Sequence, residues 1–523
     1  MSSPALPSTI PAAAAAAAVR FADDPALVWR DRVWSFSQLY RDARAAASAF
    51  LVLGVGRGSV VGIWGPNSPE WIFASLGAQM AGAAITPLNT RLKGREAGDM
   101  LRRSRTRVLC SVGRFLGTDY PTLLARERLP DLHERIVFDD PGPAGWTAFV
   151  ASGRGADDPA VDNAIARCDA ADLSDIIYTS GTTGSPKGVL STHGSVIPLF
   201  ASWADAVDLR RGDQYLIVNP FFHTFGYKAG WATCLIVGAT MIPISVFDAA
   251  ETAQLIERRR VTFIPGPPTL FQSLLTEQAQ HPRDLSSLRI AVTGAATVPP
   301  ILVERMQTEL GIHTVVTGYG MTECGSISMC RAGDSVERIS NTCGRPMPGL
   351  QVKCVDDNGR EVSTGEAGEI LVRGRGIMLG YLDDPQATAE AIDRDGWLHT
   401  GDVGVLDAQG YLRITDRKKD IFISGGFNCY PAEIEKLLCE HPAVQAAAVI
   451  GIADERLGEV GKAYLVLRPG AQTDAATLIA WARENMANFK VPRSIEICAD
   501  LPRNAAGKVL RTALREIHAK ERA

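Results

Sequence analysis

The sequence predicts an α/β protein. A large N-terminal domain of α/β subdomains, with a small β subdomain, precedes a small C-terminal α/β domain. Three observations predict this. Short apolar runs alternate with amphipathic helical stretches over residues 26–89 and again beyond residue 172, the rhythm of a largely parallel sheet covered on both faces. From Gly349 the texture changes to short strands and tight turns, the mark of a small β subdomain. A charged, apolar-poor run at 415–420 (TDRKKD) then interrupts the pattern and leaves about a hundred residues for a further α/β unit.

In chain order, residues 26–29 and 33–34 read as a small hairpin. Residues 37–54 carry apolar side chains at helical spacing and stop at a glycine. Residues 60–64 form a strand. Asn67 or Ser68 caps the next helix, with Pro69 in its first turn, and that helix runs through Met80. A strand at 84–87 follows. Residues 141–172 read as a loop-rich interval, and residues 175–178 as a short buried strand. Further strands fall at 214–218, 240–243, 261–264, 288–293 and 313–317, with helices such as 250–260 and 269–278 between them. In the β subdomain 351–355 and 369–373 are strands and 357–359 (DNG) is a turn. The C-terminal unit has helices at 431–439 and 474–485 and strands at 446–452 and 463–467. The alanine run 12–18 reads as an early surface helix, because Ala is the best helix former. No basic residue precedes it and polar chain follows at once, which argues against a signal peptide.

The chain has 523 residues, 46% hydrophobic and 21% charged, the balance of a soluble globular protein larger than one ordinary domain. A net charge of −4 gives no general attraction to nucleic acid or to an anionic membrane. Ten cysteines at irregular spacing, with no CxxC pair, argue against a zinc site or a disulfide scaffold and fit a reducing cytosol. No apolar run reaches the ~20 residues that span a bilayer.

The chain is organised around residues 178–188, YTSGTTGSPKG, directly after the buried strand. Three glycines, six hydroxyls, a proline and a lysine fall within this stretch. A glycine-rich turn after a strand lets backbone N–H groups converge on an anion. Ser180, Thr182 and Thr183 can donate to phosphate oxygens, and Lys187 supplies a compensating charge. The spacing is not that of the common nucleotide P-loop. A flexible Gly/Ser linker is the bland alternative, but linkers rarely follow a buried strand or end in Pro-Lys-Gly.

This stretch resembles the phosphate loop of the adenylate-forming enzymes, the family of acyl-CoA synthetases, luciferases and peptide-synthetase adenylation domains. The resemblance extends in motif order over nearly the whole chain. It implies that Thr179, Ser180, Gly181, Thr182, Thr183, Gly184 and Lys187 bind ATP. In Gly318-Tyr319-Gly320-Met321-Thr322-Glu323, the aromatic would cover the adenine, Thr322 would reach the α-phosphate, and Glu323, with Thr182, would hold Mg²⁺. A carboxylate is a hard oxygen ligand suited to that ion. Asp402, in Thr400-Gly401-Asp402, would bind the ribose hydroxyls together with Arg417. Lys419 would be the hinge, and Gly425-Gly426 would line the channel for the pantetheine of CoA. Lys508, in PRNAAGK at 502–508, would be the catalytic cation of adenylation, acting with Thr182 and Glu323.

His223, Phe225 and Tyr227, in FFHTFGY at 221–227, would border the acyl pocket, with Gly294 and Gly318. Gly294, Ala295 and Ala296 would supply backbone at the adenine and acyl sites. Peptide-synthetase domains carry an aspartate where this chain has His223 and Thr224, which argues against an amino-acid substrate. The resemblance also implies domains at 1–416 and 420–523, the second mobile about a hinge at 417–419.

The implied activity is an ATP-dependent carboxylic acid–CoA ligase of the cytoplasm. Its ligands would be a small-molecule acid, ATP, Mg²⁺ and CoA, with no nucleic acid and no membrane span. Homodimerisation, and a lysine acetyltransferase acting on Lys508, stand as the candidate macromolecular partners. Residues 219–230, 265–275, 291–299 and 486–494 resemble the family members that act on a bicyclic propanoate left by steroid breakdown. For such an acid His223, Thr224, Tyr227 and Lys228 are candidate donors to ring ketones. A general medium-chain or aryl-acid ligase, and an acyl-AMP ligase loading a carrier protein, would share the catalytic motifs.

Overall fold

A computed structural model of the chain describes residues 6–179, 186–294, 298–356, 358–417, 422–502, 509 and 511–522. The chain divides into two compact units. The first comprises Met1–Thr90, Gly98–Ile177 and Gly188–Thr415; the second comprises Arg91–Ala97, Tyr178–Lys187 and Asp416–Ala523.

The first unit is built on two large sheets. One has nine strands, and its centre is parallel: Thr240–Pro243, Gln214–Ile217, Phe263–Gly266, Ile290–Gly294 and Thr314–Met321 lie side by side in that order. The first four of these strands are almost wholly buried, mostly apolar runs, as strands covered on both faces must be. Antiparallel Gly325–Met329 extends one edge. The hairpin Pro25–Trp29 and Arg32–Ser35 closes the other. The second sheet has seven strands, in the order Gly380–Tyr381, Lys187–Thr192, Leu173–Thr179, Ala84–Pro87, Val60–Trp64, Val108–Ser111, Glu134–Val137.

Helices between the strands start where the sequence says they should. Ser35 and Gln38 form a reciprocal capping box at the head of Phe36–Val52. Ser68 caps Pro69–Met80 by accepting from the Trp71 N–H. The two helices touch at Gly77, where a Cβ would stand 2.8 Å from that of Ala46. A small sheet, Leu350–Val355, Ala367–Gly374, Leu398–Leu406 and Leu412–Arg417, forms the β subdomain.

The second unit has its own core. Gly458–Leu467 is the central strand of a five-stranded sheet, and antiparallel Val444–Asp454 lies along one side of it as the edge. Ile434 and Leu438 of Pro431–Cys439, and Leu478 and Ala482 of Ala475–Asn485, pack with Val449 and Leu465. Leu514 of Arg511–Arg522 packs with Ala448, Ile450, Tyr464 and Leu501 in a separate cluster. Residues alternating along one strand, Ala448 and Val449, thus feed different cores.

The structure corrects three sequence expectations. The alanine helix, Ile10–Arg20, exposes only one face: Ala16, Val19 and Arg20 are exposed, whereas Ile10, Pro11, Ala13, Ala14 and Ala17 are buried, because a small side chain lets neighbouring helices approach. The interval 141–172 contains two helices, Trp146–Ala151 and Pro159–Ala166, each too short to show a full apolar period. The strand expected at 313–317 runs on as Thr314–Met321, so Gly318-Tyr319-Gly320 lies on it rather than after it.

Candidate active site

Gly294 ends its strand and pairs with Gly318 of the parallel neighbour, the last pair of that ladder, on the C-terminal side where open α/β sheets bind their ligands. Gly318 has no room for a side chain, and Gly294 has little. A Cβ on Gly318 would lie 1.9 Å from Met329 Sδ, and one on Gly294 would lie 3.2 Å from the Gly318 carbonyl. The pair offers bare backbone, which a flat ligand can approach closely.

Tyr319 follows, and its hydroxyl donates to Asp402 Oδ2 at 2.5 Å. Asp402 owes its position to a bulge. Glu369 pairs with Val403 and Leu371 with His399, so Thr400, Gly401 and Asp402 together oppose Ile370 alone. Gly401 takes the left-handed φ of +72° that the bulge needs. Thr400 holds it, donating to the Ile370 carbonyl at 2.8 Å and accepting from the Asp402 N–H at 3.1 Å.

Glu323 sits in the hairpin joining Thr314–Met321 to Gly325–Met329, at 8% exposure. Its Oε1 accepts from the Tyr381 hydroxyl at 2.9 Å, and its carbonyl accepts from the Met378 N–H. Thr322 precedes it, and Gly320 is confined by the Gly325 carbonyl, 1.9 Å from where its Cβ would be.

The aromatic segment has a defined shape. Gly226 fits against the Asn219 and Pro220 carbonyls, 2.4 and 2.2 Å from the position of a Cβ, so only glycine turns there. His223 Nδ1 accepts from the Phe225 N–H at 3.2 Å and caps the short helix Thr224–Gly226. The residue is exposed, yet the protein packed around the ring disfavours its cation and lowers its pKa; with Nδ1 accepting, the proton of the neutral ring is assigned to Nε2. Thr224 is buried, and its hydroxyl finds no hydrogen-bond partner among the described residues. Phe225 is half-buried against Trp203.

Tyr227 and Lys228 correct the expectation that they serve as donors in the pocket. They open the π-helix Tyr227–Ala232 and point into the core. The Tyr227 ring is fully buried and stacked on Trp231 at 4.9 Å, and its oxygen accepts from Gln79 Nε2 at 2.7 Å. Lys228 forms a buried ion pair with Asp175 at 2.9 Å and donates to Ser191 Oγ at 2.7 Å.

In the second unit Thr179 ends a strand and Lys187 begins the next, and the Thr179 hydroxyl lies 3.5 Å from the Lys187 carbonyl. Gly425 and Gly426 form the two-residue turn between Phe422–Ser424 and Phe427–Cys429, with φ of +57° and +84°. The turn itself therefore requires both glycines. Ser180, Gly181, Thr182, Thr183, Gly184, Ala295, Ala296, Lys419 and Lys508 lie outside the described residues, as does the side chain of Arg417.

Sequence reasoning missed Tyr381 and Thr400 as supporting residues. Thr400 stood inside a quoted motif, whereas nothing in the sequence around Tyr381 linked it to Glu323. Among the described residues no helix is long and apolar enough to cross a membrane.

The family model described as AMP-binding enzyme matches residues 14–382, and that described as AMP-binding enzyme C-terminal domain matches residues 433–508. A Mycobacterium tuberculosis protein named 3-[(3aS,4S,7aS)-7a-methyl-1,5-dioxo-octahydro-1H-inden-4-yl]propanoyl:CoA ligase is 49% identical over 97% of this chain and 99% of its own. A Rhodococcus jostii protein of the same name is 46% identical over 98% and 99%. Among solved structures, o-succinylbenzoate CoA synthetase from Bacillus subtilis is 30% identical with a TM-score of 0.81, covering 96% of this chain and 98% of that one. An amide bond synthetase from Marinactinospora thermotolerans is 27% identical with a TM-score of 0.86, covering 96% and 99%.

Proposed function

Because the chain belongs to the AMP-binding enzyme family, we propose that it is an ATP-dependent carboxylic acid–CoA ligase acting on a bicyclic dioxo-indane propanoate. The observation that carries the ligase reading is the Tyr319–Asp402 pair beside the Gly294–Gly318 backbone floor. A nucleoside needs a flat apolar face for its base and a carboxylate for its ribose hydroxyls, and this pair presents the two together. The substrate reading rests on the relatives that are 46–49% identical over almost the whole chain.

In the first step a carboxylate oxygen of the acid attacks the α-phosphorus of ATP and pyrophosphate leaves. In the second, the thiol of CoA attacks the acyl carbon and AMP leaves. A free carboxylate is a poor electrophile; the adenylate gives it a leaving group without any protein nucleophile. The chain's task is to position and to neutralise charge. Asp402 and Arg417 orient the ribose, Thr322 faces the α-phosphate, and Thr179, Lys187 and residues 180–184 hold the triphosphate. Lys508 offsets the charge that develops during adenylation.

Glu323 fits a Mg²⁺ that arrives with the triphosphate, since that ion keeps most of its waters and takes one or two carboxylates. It and Thr182 would hold the ion, which would neutralise phosphate charge. The acid pocket is bordered by His223 and Phe225. The neutral imidazole Nε2–H and the Thr224 hydroxyl, which has no hydrogen-bond partner among the described residues, suit ring ketones. The two-domain division at a 417–419 hinge, with Gly425-Gly426 serving CoA in the second step, belongs to the same proposal, as does a cytoplasmic location.

The test is product mass spectrometry with ATP, CoA and a mixed acid library. Thioester formed chiefly on the bicyclic propanoate supports the reading. Thioester formed chiefly on medium-chain or aryl acids would move the chain to a general ligase, and adenylate without thioester to carrier-protein loading.

A further inference from the structure

The buried ion pair between Lys228 and Asp175 lies outside every role assigned above. Lys228 is 3% exposed and Asp175 0%. Asp175 stands on Leu173–Thr179, the strand that enters residues 180–185, and Ser191 stands on Lys187–Thr192, the strand that leaves them. One ammonium group thus grips both strands at the root of the phosphate loop, at 2.9 and 2.7 Å. Ser174 completes the set, donating to Asp175 Oδ2 at 2.7 Å and to the Ser191 carbonyl at 3.1 Å.

At its other end Lys228 belongs to the π-helix Tyr227–Ala232, whose chain comes directly from His223 and Thr224. A second tie runs beside the first. Gln79 Nε2 donates both to the Tyr227 oxygen and to the Ser174 carbonyl, at 2.7 and 3.0 Å. Two consecutive residues of the π-helix are therefore anchored to two consecutive residues of the strand. The Lys228 carbonyl accepts from the Thr233 hydroxyl at 2.6 Å. The segment is kinked at Gly230, whose ψ of −111° is not helical, and it is fixed at its first two residues.

Stability alone does not account for the pair. Removing two charges from water costs about as much as their attraction returns, and a well-packed apolar pair commonly serves as well. An ion pair adds direction: it fixes one segment against another at a set distance. We propose that Lys228, with Asp175 and Ser191, is a positioning residue that couples occupancy of the acid pocket to ATP binding through the two strands that flank residues 180–185. This rests on the reading of 180–185 as the phosphate loop and of His223 and Phe225 as the pocket border.

The coupling is read as the ratio of acid affinities without and with α,β-methylene ATP, which binds but cannot be adenylated. In the native enzyme the bicyclic acid should bind about fivefold tighter or more with the analogue present, the lower end for linked sites. In K228M/D175N, folded by circular dichroism, the ratio should fall below about twofold while each ligand alone binds nearly as before. A merely structural role would instead lower the melting temperature and weaken both ligands together. Ser191→Ala keeps the ion pair and removes one anchor; it should reduce the ratio without moving the melting temperature, and it decides the matter if the double variant does not fold. An unchanged ratio in a folded variant, with acyl-adenylate formation intact in the native enzyme, would overturn this inference alone. A native enzyme that forms no acyl-adenylate would overturn the ligase reading and the inference with it.

Discussion

The hydroxyl of Tyr319, on the nine-stranded sheet, donates a 2.5 Å hydrogen bond to Asp402 of the β-subdomain sheet, so each fixes the other's position. Tyr319→Phe keeps the aromatic face and removes only this bond. A hydrogen bond to a charged group contributes about 1.5–3 kcal/mol. The KM for ATP should therefore rise roughly 10- to 100-fold, while the KM for the acid changes little. Steady-state kinetics with each substrate varied in turn checks this; a rise confined to the acid would contradict the ribose role of Asp402.

Lys508→Ala should slow adenylation by roughly 10²–10³, the scale of one preorganised transition-state contact. Thioester formation from supplied acyl-adenylate should largely survive. The two half-reactions are followed by pyrophosphate exchange and by thioester release. Equal losses in both, in a folded variant, would remove Lys508 from its assigned step.

Lys508 and Gly425-Gly426 are assigned to different steps within one C-terminal domain, which motivates the hinge. Proline at position 419 fixes φ and should trap one orientation. Lys419→Pro is expected to retain pyrophosphate exchange and to lose CoA ligation. Normal overall turnover in that variant would exclude a hinge there.

Burial lowers the His193 imidazole from its usual 6.5 to about 4, while its Nδ1 accepts from the Ile10 N–H. The unfolded chain takes up this proton at higher pH than the native protein does. Between pH 6.5 and 4 the native state therefore binds fewer protons, and stability falls as pH falls. The contribution is complete above 6.5 and lost by about pH 4; the difference corresponds to roughly 3 kcal/mol. His193→Gln should lose less stability than the native protein between pH 7 and pH 4, measured by urea unfolding at each pH. Equal acid sensitivity in the two proteins would show that His193 does not titrate in this way.

Acids with ring ketones should exceed octanoate and palmitate in kcat/KM by about tenfold or more. Buried donors left unpaired by a plain alkyl chain cost about 1–3 kcal/mol each. Thr224→Val should narrow that gap, since its hydroxyl has no protein partner among the described residues. Comparable kcat/KM for palmitate and the bicyclic acid would return the enzyme to a general fatty-acid class.

The sequence made some of this legible because one local rule governed each stretch. Val60–Trp64 and Ala84–Pro87 are continuous apolar runs, and only burial on both faces explains such runs. Gly318-Tyr319-Gly320 misled because glycine usually ends a strand; here Met329 and the Gly325 carbonyl leave no space for a Cβ, so glycine continues it. The Tyr381–Glu323 contact was invisible, since it joins residues 58 apart through tertiary packing alone. Tyr227 and Lys228 looked like pocket donors because polarity shows in a sequence and direction does not. The kinked segment Tyr227–Ala232 that holds them has no simple periodic signature.

The turn at Gly425-Gly426 selects for handedness, not for size. Among the described residues nothing lies within 4 Å of where a side chain on Gly426 would begin, yet its φ of +84° is one that L-residues rarely adopt. Alanine there would be strained by about 1–2 kcal/mol in open space, and asparagine would be the mildest natural replacement. A D-alanine introduced by chemical ligation would match the backbone's hand, so mirror-image chemistry could mark this turn with far less strain than its ordinary L-counterpart.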